Sequence, residues 1–137
     1  MGRIMAIDFG TKRIGIAVTD PLKMIANGLG TVTAENSMTF LEEYMRKEAV
    51  ECVVIGKPNS DGRGGDLSKL ADDFCFKMKK KFPSLKIARI DEFYTSKLAE
   101  RTMIQSGINK TARRDKALVD KISATIILQS YLELINS

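Results

Sequence analysis

Apolar and polar positions change their period several times along the chain, and each change marks an element. Ile4-Met5-Ala6-Ile7 is a short apolar run that ends in the turn Asp8-Phe9-Gly10-Thr11-Lys12, after which Ile14, Ile16 and Val18 resume it. Two strands over residues 3–9 and 12–19 follow, joined as a hairpin, with Gly28 to Thr33 as a third strand. From about 37 to 48 the period lengthens to that of a helix, with Phe40, Leu41, Tyr44 and Met45 on one stripe. Cys52-Val53-Val54-Ile55 is continuously apolar and closed by Gly56-Lys57-Pro58, the pattern of a central strand covered on both faces. A glycine-rich loop over 59–65 leads to Asp66, an N-cap for a helix that turns Leu67, Leu70, Ala71, Phe74, Met78 and Phe82 inward and stops at Pro83. A strand over 86–91 comes next, then a helix capped by Thr95 or Ser96 that reaches Ser106 and ends at Gly107. A polar loop occupies 107–116. The last helix, over about 117–135, carries apolar residues around a wide arc and is expected to pack deep against the sheet.

The order β-β-β-α-β-α-β-α-α, with no linker, repeat or low-complexity tract, predicts one α/β domain over residues 1–137. Its three-stranded antiparallel meander and following parallel strands make a mixed five-stranded sheet with helices on both faces. At 137 residues the chain can bury a core without staples. Cys52 and Cys75 lie far apart in apolar segments, outside any zinc or CxxC spacing, and read as small buried hydrophobes. No apolar run reaches the roughly 18 residues of a membrane span. Strand-like sequence begins almost at the first residue, leaving no room for a signal peptide, so a cytoplasmic protein is expected. Twenty-two Lys and Arg against 17 acids give a net charge of +5, which permits a polyanionic partner.

Candidate chemistry begins with Asp8. A lone carboxylate at the tip of an apolar strand is costly to bury unless something cationic answers it. Asp91-Glu92 ends the strand over 86–91, and Asp120 lies in the last, deeply packed helix. Binding sites in such sheets gather where strand ends diverge, so Asp8, Glu92 and Asp120 can converge. Three carboxylates held together would repel and partly protonate without a divalent cation. Hard oxygen donors select Mg²⁺ or Mn²⁺. Two such ions about 4 Å apart activate a water and stabilise the leaving oxygen of a phosphodiester. This chemistry needs no histidine, and the chain has none. Each acid taken singly also reads blandly: Asp8 as a turn residue, Asp91-Glu92 as a strand exit, Asp120 as a surface charge.

The segment Ile7-Asp8-Phe9-Gly10-Thr11-Lys12-Arg13-Ile14-Gly15-Ile16-Ala17-Val18-Thr19-Asp20 closely resembles the opening motif of the YqgF/RuvX family. The resemblance continues through Val54-Ile55-Gly56-Lys57-Pro58 with Asp61-Gly62, then Asp91-Glu92 before Thr95-Ser96. It closes with Val119-Asp120-Lys121-Ile122-Ser123-Ala124 and Ile127-Leu128-Gln129-Ser130-Tyr131-Leu132, and so spans essentially the whole chain. Members are RNase H-like proteins assigned to trimming of pre-16S ribosomal RNA or to Holliday junction resolution. The resemblance implies that Asp8, Glu92 and Asp120 bind the metal, and that Gly10, Gly56, Pro58, Asp61 and Gly62 shape the surrounding loops. It also implies that Thr95 and Ser96 cap a helix or touch phosphate. One position departs: the family has Arg after the Asp-Glu pair, and here Phe93 stands. Phe can neither clamp a phosphate bidentately nor hold a neighbouring carboxylate.

Basic residues frame the same segments. Thr11, Lys12 and Arg13 flank the Asp8 turn, Lys57 and Arg63 the glycine loop, and Lys110, Arg113, Arg114 and Lys116 the late polar loop. As a nucleic-acid surface they would contact phosphates and position the backbone without reading its sequence. No aromatic pair or row for stacking bases stands out, so recognition by structure is expected. The leading expectation is a metal-dependent nuclease acting on the 5′ end of precursor 16S ribosomal RNA, with ribosomal factors as possible partners. The alternatives are cleavage of branched DNA at a Holliday junction and a non-catalytic nucleic-acid-binding module. An ATPase of the actin-like type also opens on a motif like Asp8-Phe9-Gly10-Thr11, but needs two lobes where this chain has length for one.

Overall fold

The computed structural model describes residues 2–10, 12–23, 25–57, 65–91 and 116–135. Its strands are β1 (Arg3–Phe9), β2 (Arg13–Thr19), β3 (Ala26–Thr33), β4 (Val50–Lys57) and β5 (Lys86–Asp91). Helix α1 (Ser37–Lys47) joins β3 to β4, α2 (Gly65–Lys81) precedes β5, and α3 (Lys116–Ile135) is the last described element. The strands form one sheet in the order β3-β2-β1-β4-β5. β1 pairs antiparallel with β2 and parallel with β4, β2 pairs antiparallel with β3, and β4 pairs parallel with β5. This is the mixed sheet expected, with β1 at its centre.

Strand alternation sorts the core into two layers. Met5, Ile7, Ile14, Ile16, Val18, Val53 and Ile55 meet Leu41 of α1 and Phe74, Cys75 and Met78 of α2 on one face. Ile4, Ala6, Ala17, Cys52 and Val54 meet Ala124, Ile127, Leu128, Tyr131 and Leu132 of α3 on the other. The apolar arc of α3 has the expected consequence: Ile126, Ile127 and Leu128 are all buried. Both cysteines are free and buried. Among the described residues no helix is long and apolar enough to cross a membrane.

Several boundaries differ from the sequence reading, each for a local reason. β3 begins at Ala26, two residues early, because Thr19 pairs with Ala26 and the hairpin closes tightly. Asp20 makes that closure: its carboxylate accepts from the backbone N–H of Ile25 (2.8 Å) and of Leu22 (3.2 Å). Within β3 the register skips between Ile16–Gly30 and Ala17–Gly28, leaving Leu29 as a bulge residue. Gly30 takes φ 142°, a conformation open to glycine. β4 runs on through Gly56 and Lys57, which pair with Ile90 and Asp91, so Gly56 belongs to the strand and not to the loop after it. Helix α2 starts at Gly65, which puts Asp66 inside it and not at its cap. Leu70, expected inward, is exposed, because the buried stripe is Ala71, Phe74, Cys75 and Met78. Lys116, expected in the polar loop, opens α3. The helix expected from Thr95 or Ser96 lies outside the described residues.

Candidate active site

Asp8 sits one residue from the carboxyl end of the central strand, half-buried. Its neighbours in the sheet explain how a carboxylate fits there. Asp8 pairs across β2 with Gly15. On the β4 side Ile7 pairs with Ile55, so Gly56 comes next in that strand. Glycines on both flanks place no β-carbon beside the carboxylate within the sheet. Gly15 was not singled out from the sequence, although the hairpin register alone would have paired it with Asp8.

The turn that follows is tightly held. A Cβ at Gly10 would lie 2.6 Å from the carbonyl oxygen of Arg13, so a side chain there collides with backbone. The Ala34 N–H donates to the Lys12 carbonyl (2.9 Å), and Arg13 pairs with Thr33, which ties the turn to the end of β3. Phe9, on the opposite face from Asp8, packs its ring 5.2 Å from that of Phe74 and so fastens the end of β1 to α2. At the other end of the sheet, Thr19 is fully buried and its hydroxyl accepts from the Ile4 N–H (3.0 Å). Arg3 donates to the Thr19 carbonyl (2.9 Å) and pairs with Glu48 (3.2 Å).

Alternation decides the face that Asp8 shares. It follows Ile4 and Ala6 at the strand period of two, and those residues pack under α3. Asp120 belongs to α3, one turn ahead of Ala124, which packs into the same layer. In β5, Ala88 and Ile90 are the residues packed against this layer. The far end of α3 is anchored near the beginning of β1 and β4, where the Cys52 thiol donates to the Tyr131 hydroxyl (3.8 Å). Burial pushes both the Cys52 thiol and the Tyr131 phenol above their ordinary values, so both stay protonated at neutral pH.

Of the basic residues, Lys12 precedes β2, Arg13 opens it and Lys57 ends β4, which brings all three to the Asp8 end of the sheet. Lys12 and Lys57 are exposed, and Arg13 is half-buried. Lys116 heads α3. Thr11, Pro58, Asp61, Gly62, Arg63, Glu92, Thr95, Ser96, Lys110, Arg113 and Arg114 lie outside the described residues. Among the described residues there is no group of three His, Cys, Asp or Glu side chains able to hold a metal ion.

A family model described as "RuvX: Holliday junction resolvase" matches residues 2–134. The chain is 50% identical over 133 residues to a protein of Flavobacterium psychrophilum named "Putative pre-16S rRNA nuclease", covering 96% of this chain and 97% of that one. A protein of Porphyromonas gingivalis with the same name is 48% identical over 134 residues, covering 97% of each chain. Among solved structures, Thermus thermophilus RuvC in complex with a Holliday junction substrate superposes with a TM-score of 0.60 at 14% identity, covering 98% of this chain and 96% of that one. That likeness establishes a shared RNase H-like fold.

Proposed function

This chain belongs to the RuvX family, and on that footing we propose that it is a metal-dependent nuclease whose substrate is precursor 16S ribosomal RNA. We assign the metal-holding acids as Asp8, Glu92 and Asp120. The observation that carries the reading is the shared layer: Asp8 continues the Ile4–Ala6 face of β1, and that face is covered by the helix that bears Asp120. Distances along the elements agree with this. Asp120 precedes Tyr131 by about 16 Å of helix, and Asp8 follows Ile4 by about 13 Å of strand.

The donor set fits a hard cation, since carboxylate oxygens are what Mg²⁺ and Mn²⁺ take. Such an ion, when bound, supplies activation of a water and charge stabilisation at the phosphodiester. The chain's own residues do the positioning. The flanking glycines give the Asp8 carboxylate room, and the Gly10 turn holds the end of its strand. Lys12, Arg13 and Lys57 offer phosphate contacts at the same end of the sheet, which orient the backbone without reading bases. A ribosomal precursor as substrate implies a cytoplasmic enzyme.

The test is incubation with a 5′-extended precursor RNA and Mg²⁺ or Mn²⁺, beside Asp8→Asn and a four-way DNA junction. The expected result is metal-dependent RNA cleavage that disappears in Asp8→Asn while its circular dichroism and melting are unchanged. Full turnover by Asp8→Asn would remove Asp8 from the site. Cleavage of the junction alone would transfer the substrate to branched DNA, the reading that the family description favours. That reaction ordinarily requires two sites across a two-fold axis, so a strict monomer counts against it.

A further inference from the structure

Helix α2 presents an unusual outer face in its carboxyl half. Phe76 is 69% exposed, although Phe74, Cys75 and Met78 on either side of it in the sequence are buried. Asp72, which pairs with Arg89, and Asp73 lie one turn before it, and the exposed Lys77, Lys79 and Lys80 follow it. Among the described residues none of the three pairs with a carboxylate, whereas Lys81 is paired with Glu42 of α1. A groove of about 300 Å³ is lined by Lys77, Lys80 and Lys81 of α2 with Met38 of α1. Lysines in a last helical turn complement the helix dipole, but that role does not require an exposed Phe before them. Lone exposed hydrophobes are ordinary. An exposed aromatic followed by lysines that pair with no carboxylate among the described residues, two of them also lining a groove, is the combination that single-stranded nucleic acid takes, with bases stacking and phosphates neutralised.

We infer that this face is a second contact for single-stranded RNA: Phe76 stacks on an unpaired base while Lys77, Lys79 and Lys80 hold the neighbouring phosphates. It lies on the α1–α2 side of the sheet, opposite the layer that holds Asp8. RNA seated there is therefore gripped away from the bond to be cut. The inference rests on the RNA reading above for the identity of the polymer, but its evidence is binding and not turnover.

The experiment measures binding of a fluorescein-labelled, unstructured oligoribonucleotide by anisotropy over a series of salt concentrations. The protein carries Asp8→Asn throughout, so that no cleavage intervenes. Phe76→Ala is expected to weaken binding by roughly 5- to 150-fold, the range of one base–aromatic stack, and Phe76→Tyr to restore most of it. Lys77→Gln with Lys80→Gln should flatten the log–log salt slope by about 1.4, at about 0.7 per single-strand phosphate. An unchanged affinity in Phe76→Ala together with an unchanged slope in the lysine pair overturns the inference. So does equal binding of a duplex, which offers no free base face. If Phe76→Ala alters only sedimentation, the surface serves self-association and the inference also falls. Failure here is distinguishable from failure of the nuclease reading. Metal-dependent RNA cleavage by the Asp8 protein with unaltered binding in these variants rejects only the second contact. Binding losses without any cleavage by the Asp8 protein reject only the nuclease.

Discussion

Replacing Gly10 by alanine tests how tightly the fold holds the end of the strand that bears Asp8. The added Cβ would meet the Arg13 carbonyl oxygen at 2.6 Å, whereas carbon and oxygen ordinarily approach to about 3.3 Å. The turn must therefore open by roughly 0.7 Å to reach that separation. The obstacle is backbone, and Arg13 is committed to pairing with Thr33, so no side-chain rotation relieves it. Forcing extra volume into a fixed site costs about 1–3 kcal/mol. A chain of this length loses roughly 3–4 °C of melting temperature per kcal/mol, so calorimetry should register a drop of about 3–10 °C. Because the displacement falls two residues from Asp8, metal-dependent cleavage should also fall at temperatures where the variant is fully folded. Gly30→Ala is the control: nothing lies within 4 Å of its Cβ, and only its φ of 142° resists, so it should lower the melting temperature without touching turnover. A Gly10→Ala protein that melts with the parent and cleaves at the parental rate would refute the close approach.

Further expectations follow from the same geometry. Thr19→Val keeps the shape of a fully buried side chain but leaves the Ile4 N–H without its acceptor; urea titration should show a loss of about 1–3 kcal/mol. Burial raises the Cys52 and Cys75 thiols above their ordinary value. Their contribution to stability is complete below that value and is lost as pH rises through the raised folded one. Iodoacetamide at pH 8 should accordingly label the native protein far more slowly than the urea-unfolded chain. Glu51 is held below the usual carboxylate range, chiefly by its hydrogen bond to Lys23. Its contribution is present above the ordinary Glu value and lost as pH falls through the depressed one, so the difference in melting between the parent and Lys23→Met should vanish in acid. Equal differences at neutral and acid pH would assign Lys23 no part in it.

Much of this protein is legible along the chain because the signals are local. Short apolar runs marked β1 and β4, alternation marked β2, and the 3.6 spacing marked α1 and α2, since burial of one face or of both imposes those patterns whatever lies opposite. The turn at Gly10 and the exposed Lys12 and Lys57 were readable from residue type, and the family from the ordered motifs around Asp8. The boundaries that moved did so through pairing, which acts across the chain. Thr19 paired with Ala26 draws β3 back by two residues, and the pairing of Gly56 with Ile90 carries β4 beyond its apolar run. Leu70 and Phe76 are large apolar residues that the sheet leaves uncovered, because α2 turns Ala71, Phe74, Cys75 and Met78 toward it. What only the tertiary structure decided is which helix covers the face of β1 that Asp8 continues. Asp8 and Asp120 stand 112 positions apart in the sequence, and no local period relates them. The face that Asp8 takes from Ile4 and Ala6 becomes the face of α3 only when residues 124–132 pack on the centre of the sheet. Burial of those apolar side chains drives that docking and brings the helix bearing one acid over the strand that carries the other near its end.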